Sequence, residues 1–534
     1  MPVKPTLTQS ASTKTWIAAD GLPVGYPDFL RALVTEFEPR RHGILERRRQ
    51  VLSAWHMGHP TGYLPESAAT RGDWKLTLPS WAQDQRNQIT GPADKVKYLL
   101  GMCNSSDPGC MPDGEDSIST DWVNVRAAQQ NTVSAIKGSL SYTDTETKQV
   151  KTLKANDQVI YYRPRGLLLE ETHALQGQAI SASIFDISMI FYQTVAERKS
   201  AALEPAKQRR LCFYIPKNES AEEAAWWSDL IARMETLCGI PVGTTKIMYL
   251  IESLPAAYQV EEIIDAARRH VIGLNLGRWD YMASLLHFKF KDPDWILPDR
   301  NTIPHDIAFF QNLRVRLVDA CHRRGILAIG GMTALFPDRK DHEVNACAAL
   351  CLAADKKNEA ILGFDGAWTG HPDQHEGAIS QFPAPNQLHV THPQAPKHLD
   401  LVPSPTGIGR VSLAGTQDAV RTVIEYRYGV LAGLGARLIK GYDHKGALIG
   451  GFMEDLATDR IYRTMLAQRL YHATMTQEGT KITLSALSKV FDAELAKILK
   501  EHDKDADAAT VKERYVQARM SAEKMTDPQG FLQS

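Results

Sequence analysis

The chain is expected to fold as an α/β protein built on a closed, parallel (β/α)8 barrel, and three observations carry that expectation. Short runs of β-branched and aromatic residues alternate with longer amphipathic stretches through the middle of the chain. The short runs are apolar almost throughout rather than at every other position, as in strands covered on both faces. The alternation also repeats too often for a small open sheet, which favours closure into a barrel. A length of 534 residues exceeds one ordinary domain, so smaller attachments are expected around it.

In chain order, residues 158–163 and 210–215 read as strands, closed by Pro164 and Pro216. Ser220 with Glu223 makes a capping box for a helix running to about Cys238 and stopped by Gly239. Its apolar residues Trp227, Leu230, Ile231, Met234 and Leu237 share one face. Then come strand 246–251, helix 256–270, strand 271–274, a helix near 305–323, strand 325–330, a helix near 342–355 and strand 360–364. Residues 1–95, polar and helical with Phe29–Val51 amphipathic, form an N-terminal clasp. The barrel occupies 96–445, with a β insertion near 120–157 that includes a hairpin within 136–152. Residues 380–413 read as a long loop. Residues 446–534 form a C-terminal helical domain, with the charge run Lys500–Asp507 as a solvated turn.

Composition excludes several classes. With 43% apolar and 23% charged residues, and Lys+Arg 61 against Asp+Glu 62, nothing favours nucleic acid or an anionic membrane surface as partner. No apolar run is long enough for a spanning helix. The stretch Met1–Thr15 lacks a signal-peptide core, and the final Leu-Gln-Ser is not a peroxisomal tripeptide, so a cytoplasmic location is expected. The seven cysteines include no C-x-x-C pair, and Cys347 and Cys351 share a helix face as ordinary thiols. Gly433-Leu434-Gly435 lacks the third glycine of a dinucleotide fingerprint.

In a parallel barrel the chemistry lies at the carboxyl ends of the strands. The residues just past the expected strands are Arg163, Glu252, Asp280 and Asp365, and Asp455 follows a flexible Gly450-Gly451 pair. Glu252 and Asp280, one β-α unit apart, suit a hard divalent cation. These residues alone support a metal-assisted lyase or transferase acting on a small acid. They leave open helix caps for the carboxylates and a surface ion pair for Arg163.

Gly273-Leu-Asn-Leu-Gly-Arg-Trp-Asp-Tyr281 resembles the signature of the malate synthases, in their shorter A-type and glyoxysomal form. Ile89–Pro92, Arg163–Gly166, Glu223–Ser228, Leu250–Pro255, Leu297–Arg300, Gly330–Met332, Asp365-Gly366 with Trp368 and His371-Pro372, and Met453–Asp455 resemble further motifs of that family, in its order. The resemblance spans roughly residues 25–480. It implies a TIM barrel that condenses acetyl-CoA with glyoxylate and hydrolyses the thioester to malate and CoA, in the glyoxylate bypass.

By the same resemblance, Glu252 and Asp280 would hold Mg²⁺, and Asp455 would be the base that deprotonates the acetyl methyl group. Arg163 would stabilise the enolate. The turn Gly277, Arg278, Trp279, Asp280 would seat glyoxylate. Trp368 and Pro372 would lie along the CoA arm, with Asp365 equally a pocket wall or a packing residue. Glu115 and Asp116 would stand behind the metal, and His371 would be a buried, hydrogen-bonded histidine. A homo-oligomer is left open. So are a related acyl-CoA lyase or synthase using another 2-oxo acid, and a non-catalytic paralogue. The chain departs from the family at Gly114 (an aromatic there), at Leu276 (commonly Cys), at Leu168–Glu171, at Met282–Ser284 and at Met465–Gln468, so it reads as a divergent member.

Overall fold

Eight parallel strands close into a barrel in the computed structural model, which describes residues 17–203, 210–338, 340–442, 448–504 and 507–533. They are β1 (Asn87–Pro92), β2 (Gly109–Asp113), β3 (Val159–Tyr162), β4 (Leu211–Ile215), β5 (Ile247–Ile251), β6 (Val271–Leu276), β7 (Leu327–Met332) and β8 (Gly366–Thr369). Each pairs with the next, and β8 returns to β1 with Ala367 opposite Asn87 and Thr369 opposite Ile89. Period-two geometry explains why the strands read as continuously apolar. Met248 and Leu250 of β5 and Leu327 and Ile329 of β7 fill the barrel interior with Tyr161, Tyr214 and Trp368. Their neighbours Ile247, Tyr249 and Ile251 face the surrounding helices.

Helix α1 (Tyr26–His56) buries Phe29, Leu30, Leu33, Val34, Phe37 and Ile44, a helical stripe, and lies against α2 (Ala221–Leu237). Trp226 of α2 donates its indole N–H to the Phe37 carbonyl at 3.0 Å. The α2 cap is half of the expected box: the Ser220 hydroxyl accepts from the Glu223 N–H, but the Glu223 carboxylate turns to the Glu219 N–H and to Arg48. Helix α3 (Arg278–Phe288) opens directly after β6, and α4 (His342–Ile361) precedes β8.

Three expectations change. Strand 360–364 is the end of α4 and the turn after it, and the eighth strand begins at Gly366. A short apolar run does not distinguish helix from strand, and the exposed Ile361 belongs to the helix. The helix expected over 256–270 is two short helices, Leu254–Tyr258 and Val260–Ala266. The first barrel strand, 87–92, lies inside the stretch expected as clasp. The hairpin is present at Ser141–Thr143 and Val150–Thr152, preceded by a helix at Trp122–Ile136.

The C-terminal part reaches the barrel mouth through a second hairpin, Arg437–Tyr442 with Leu448–Glu454. Its second strand also pairs with Leu335–Phe336 just after β7. Gly450 and Gly451 are therefore strand residues rather than a flexible pair. A Cβ on Gly450 would meet Leu335 at 2.6 Å, and one on Gly451 would meet Leu438. Helix α5 (Leu456–Tyr471) follows and packs along α3. Residues 380–412 carry no helix or strand. The expected domain boundary at 446 and the terminal stretches Met1–Thr15 and Ser534 lie outside the described residues. Among the described residues no helix is long and apolar enough to cross a membrane.

Candidate active site

At the carboxyl ends of the strands lies a cavity of about 130 Å³. Its wall includes Arg163 after β3, Glu252 after β5, Gly277 to Asp280 after β6, Trp368 of β8, and Asp455 from the C-terminal hairpin. Eight residues singled out in the sequence thus converge, from segments up to 292 positions apart (Arg163 to Asp455).

Arg163 is buried and held in plane by Asp113 of β2. Nε donates to Oδ1 and Nη2 to Oδ2, both at 2.6 Å. Burial penalises both charges, yet their pairing wins: the Asp113 carboxyl falls below its ordinary value and Arg163 stays firmly charged. The third nitrogen, Nη1, faces Glu115 and Asp116 at 3.8 and 3.9 Å, and the guanidinium lies 5.8 Å over the Trp368 ring.

The strand-end rule also has a residue that the sequence reading passed over. Lys217 follows β4, one position after Pro216, and adopts a left-handed φ of 51°. Its Nζ lies 2.6 Å from Asp116, 3.2 Å from Glu115 and 3.5 Å from Asp280. Burial opposes its charge, but these carboxylates raise its proton affinity well above normal. Its backbone N–H donates to Glu252 Oε1 at 2.6 Å, so one residue neutralises the acidic cluster and orients the carboxylate beside it. The signal was present: a strand end displaced one residue by proline.

Gly277 ends β6 with its N–H on the Ile251 carbonyl, and its own carbonyl accepts from Tyr281 in the first helical bond of α3. The N–H groups of Arg278, Trp279 and Asp280 have no acceptor four residues back, as in any first helical turn, and these residues line the cavity at the positive end of the helix dipole. Glycine is needed here for close approach. A Cβ would stand 2.7 Å from the Glu252 Cβ and closer still to its Oε2. Arg278 is anchored on Asp355 at 2.9 Å, and the Arg278 and Arg300 guanidiniums lie 4.6 and 4.3 Å from the Trp279 ring centre.

Asp455 caps α5 by accepting from the Ala457 N–H at 3.0 Å. The cap and the cavity position coexist. Burial, then the charges of Asp116 and Asp280, push its pKa up to about 7. Burial and Asp280 likewise push Glu252 up to about 8, and Glu115 rises through burial and Asp116.

Other residues fall elsewhere. Asp365 sits before β8, at the amino end of the barrel, where it accepts from His322, from the Ala328 N–H and from the Gln387 N–H. It is a packing residue that ties strands together, because the strand it was thought to follow begins after it. Trp368 is the cavity floor, bonded through its indole N–H to Gln88 and Tyr214. Pro372 is exposed and opens a one-turn 3-10 helix, capped by a half-exposed rather than buried His371; neither is in the cavity wall. The departures at Leu276 and Met282 face the layer between barrel and helices and do not line the cavity. At Gly114 the Tyr162 hydroxyl fills the space where a side chain would begin.

The sequence matches two family models, that of the malate synthase TIM barrel domain over residues 159–402 and that of the malate synthase C-terminal domain over residues 410–532. Among curated proteins, it is 34% identical to a malate synthase of Myxococcus xanthus over 91% of this chain and 88% of that one. It is 35% identical to malate synthase A of Escherichia coli over 89% and 87%, and 31% identical to the glyoxysomal malate synthase of Ricinus communis over 89% and 84%. Motifs, barrel, cavity and relatives agree: the chain belongs to the malate synthase family.

Proposed function

We propose that this chain condenses acetyl-CoA with glyoxylate and releases malate and CoA, with Mg²⁺ as cofactor, as a cytoplasmic enzyme of the glyoxylate bypass. The single observation that carries the reading is the meeting of Asp455, Arg163 and the Glu252–Asp280 pair on one small cavity.

The donor set fits a hard cation. It consists of the carboxylate oxygens of Glu252 and Asp280, and burial together with the Asp280 charge pushes the Glu252 carboxyl up to about 8. One further oxygen, Asp116 Oδ1, is buried without a hydrogen-bond partner. Among the described residues no three acidic, histidine or cysteine groups form a ready-made cage, so water and substrate would have to complete the shell of an ion held by two carboxylates. Glu252 and Asp280 would hold Mg²⁺, which when bound supplies Lewis-acid polarisation of the glyoxylate aldehyde.

The first-turn N–H groups of Arg278 to Asp280 receive the glyoxylate carboxylate. Asp455, with its proton affinity raised toward neutrality, takes a proton from the acetyl methyl group. Arg163, its plane fixed by Asp113, turns Nη1 toward the negative charge that develops on the thioester oxygen. Because the aspartate is a far weaker base than the carbanion it generates, this fixed cation must supply much of the rate. Met332, Phe336 and Met453 line the cavity with apolar surface and limit access of water to the enolate.

The test is product identity. Purified protein with Mg²⁺ and acetyl-CoA is offered glyoxylate, pyruvate and 2-oxobutyrate in parallel. Malate from glyoxylate as the main product is expected. Faster turnover of a larger 2-oxo acid would overturn the assignment of acceptor.

A further inference from the structure

Asp280 carries a second cation that the barrel does not supply. Arg460 lies on α5, five residues after Asp455, and its Nη1 donates to Asp280 Oδ1 at 3.1 Å. Its side chain is 30% exposed against 8% for Asp280. Helix α5 lies along α3, so the contact joins the first turn of α3, at the glyoxylate turn, to the second turn of α5, just past the base. Glu219, His287 and Arg463 also feel the Arg460 charge, but Asp280 is the group within hydrogen-bond reach. The two Asp280 oxygens are therefore approached from opposite domains, Oδ2 by Lys217 and Oδ1 by Arg460. Lys217 is shared with Glu115 and Asp116, whereas the Arg460 pairing is specific to Asp280.

We propose that Arg460 is a positioning residue that sets the divalent-cation affinity of the site and couples that affinity to the seating of α5. The proposal rests on the reading of Glu252 and Asp280 as the metal pair. A fixed guanidinium within hydrogen-bond distance of one ligand oxygen competes for that oxygen and repels a divalent ion beside it. Linkage makes the effect reciprocal: a cation drawing on Asp280 weakens the tie between α3 and α5, and a firmly seated α5 weakens the cation. The domain that carries the base thereby senses whether the barrel is loaded.

The experiment is a calorimetric Mg²⁺ titration of chelator-treated, full-length protein without substrates. It compares the parent chain with Arg460→Gln, Arg460→Lys and Asp280→Asn. Arg460→Gln is expected to bind Mg²⁺ about tenfold more tightly, Arg460→Lys within about twofold of the parent, and Asp280→Asn not measurably. Amide exchange across 456–462 is expected to quicken on Mg²⁺ addition in the parent chain and to be insensitive to Mg²⁺ in Arg460→Gln. Unchanged or weaker Mg²⁺ binding by Arg460→Gln overturns the proposal, as does tightening in both Arg460 variants, since lysine keeps the charge. Unchanged binding by Asp280→Asn instead sinks the metal reading itself.

Discussion

A carboxylate in water is a poor base toward a carbon acid, and Asp455 departs from that state because burial and the charges of Asp116 and Asp280 lift its pKa to about 7. Only the ionised form accepts a proton, so kcat/KM is expected to rise with pH through about 7 and then level. A flat profile from pH about 5 to about 9 would contradict the role. Gly277 gives a second residue-scale prediction. A Cβ there collides with Glu252, so Gly277→Ala is expected to weaken Mg²⁺ binding roughly tenfold while leaving the far-UV circular dichroism unchanged. Equal Mg²⁺ affinity in parent and variant would show that Glu252 is not held against that turn.

At the scale of elements, the hairpin Arg437–Tyr442/Leu448–Glu454 decides whether the base reaches the barrel. Gly450 has φ 142° and faces Leu335. Gly450→Val is therefore expected to destabilise the fold by about 1–3 kcal/mol, read from denaturant unfolding, and to lower kcat. Normal kcat would mean that the hairpin does not position Asp455. This hairpin is also where the sequence was least legible. The two glycines read as a flexible pair, whereas close approach is what they allow, of Leu335 more than a hundred positions away at Gly450 and of Leu438 on the partner strand at Gly451. Strands β3 to β7 were legible within two residues because both faces are apolar. Strand β8 was not, because the end of α4 offers the same apolar run and a helix uses it equally well. Arg163, Glu252 and Asp280 stood out because they follow strands within motifs in the family's order, although each alone could be a helix cap or a surface ion pair, while Lys217 was hidden behind a proline and Asp365 was misplaced with its strand.

Across the whole molecule, the site is a concentration of negative charge between two structural units, with Lys217, Arg163 and Arg460 as its built-in counterions. Glu252 and Asp455 are raised to about 8 and about 7, so the folded protein holds their protons more tightly than the unfolded chain does. The stability this contributes is complete below their unfolded values near 4 and is lost as pH climbs through the folded ones. Chelated protein is therefore expected to show a falling Tm between pH about 5 and about 9. Added Mg²⁺, which favours the ionised carboxylates, is expected to raise Tm more at the alkaline end. A Mg²⁺ effect independent of pH would separate the cation from these carboxylates. The central claim is that a base on the C-terminal unit completes chemistry prepared by the barrel. The most direct measurement is CoA thiol release from acetyl-CoA with Mg²⁺, with and without glyoxylate, by the parent chain and Asp455→Asn at matched Mg²⁺ occupancy. The account predicts release that requires glyoxylate and falls at least about a hundredfold in the variant. Release without glyoxylate, or at the full rate in Asp455→Asn, would contradict it.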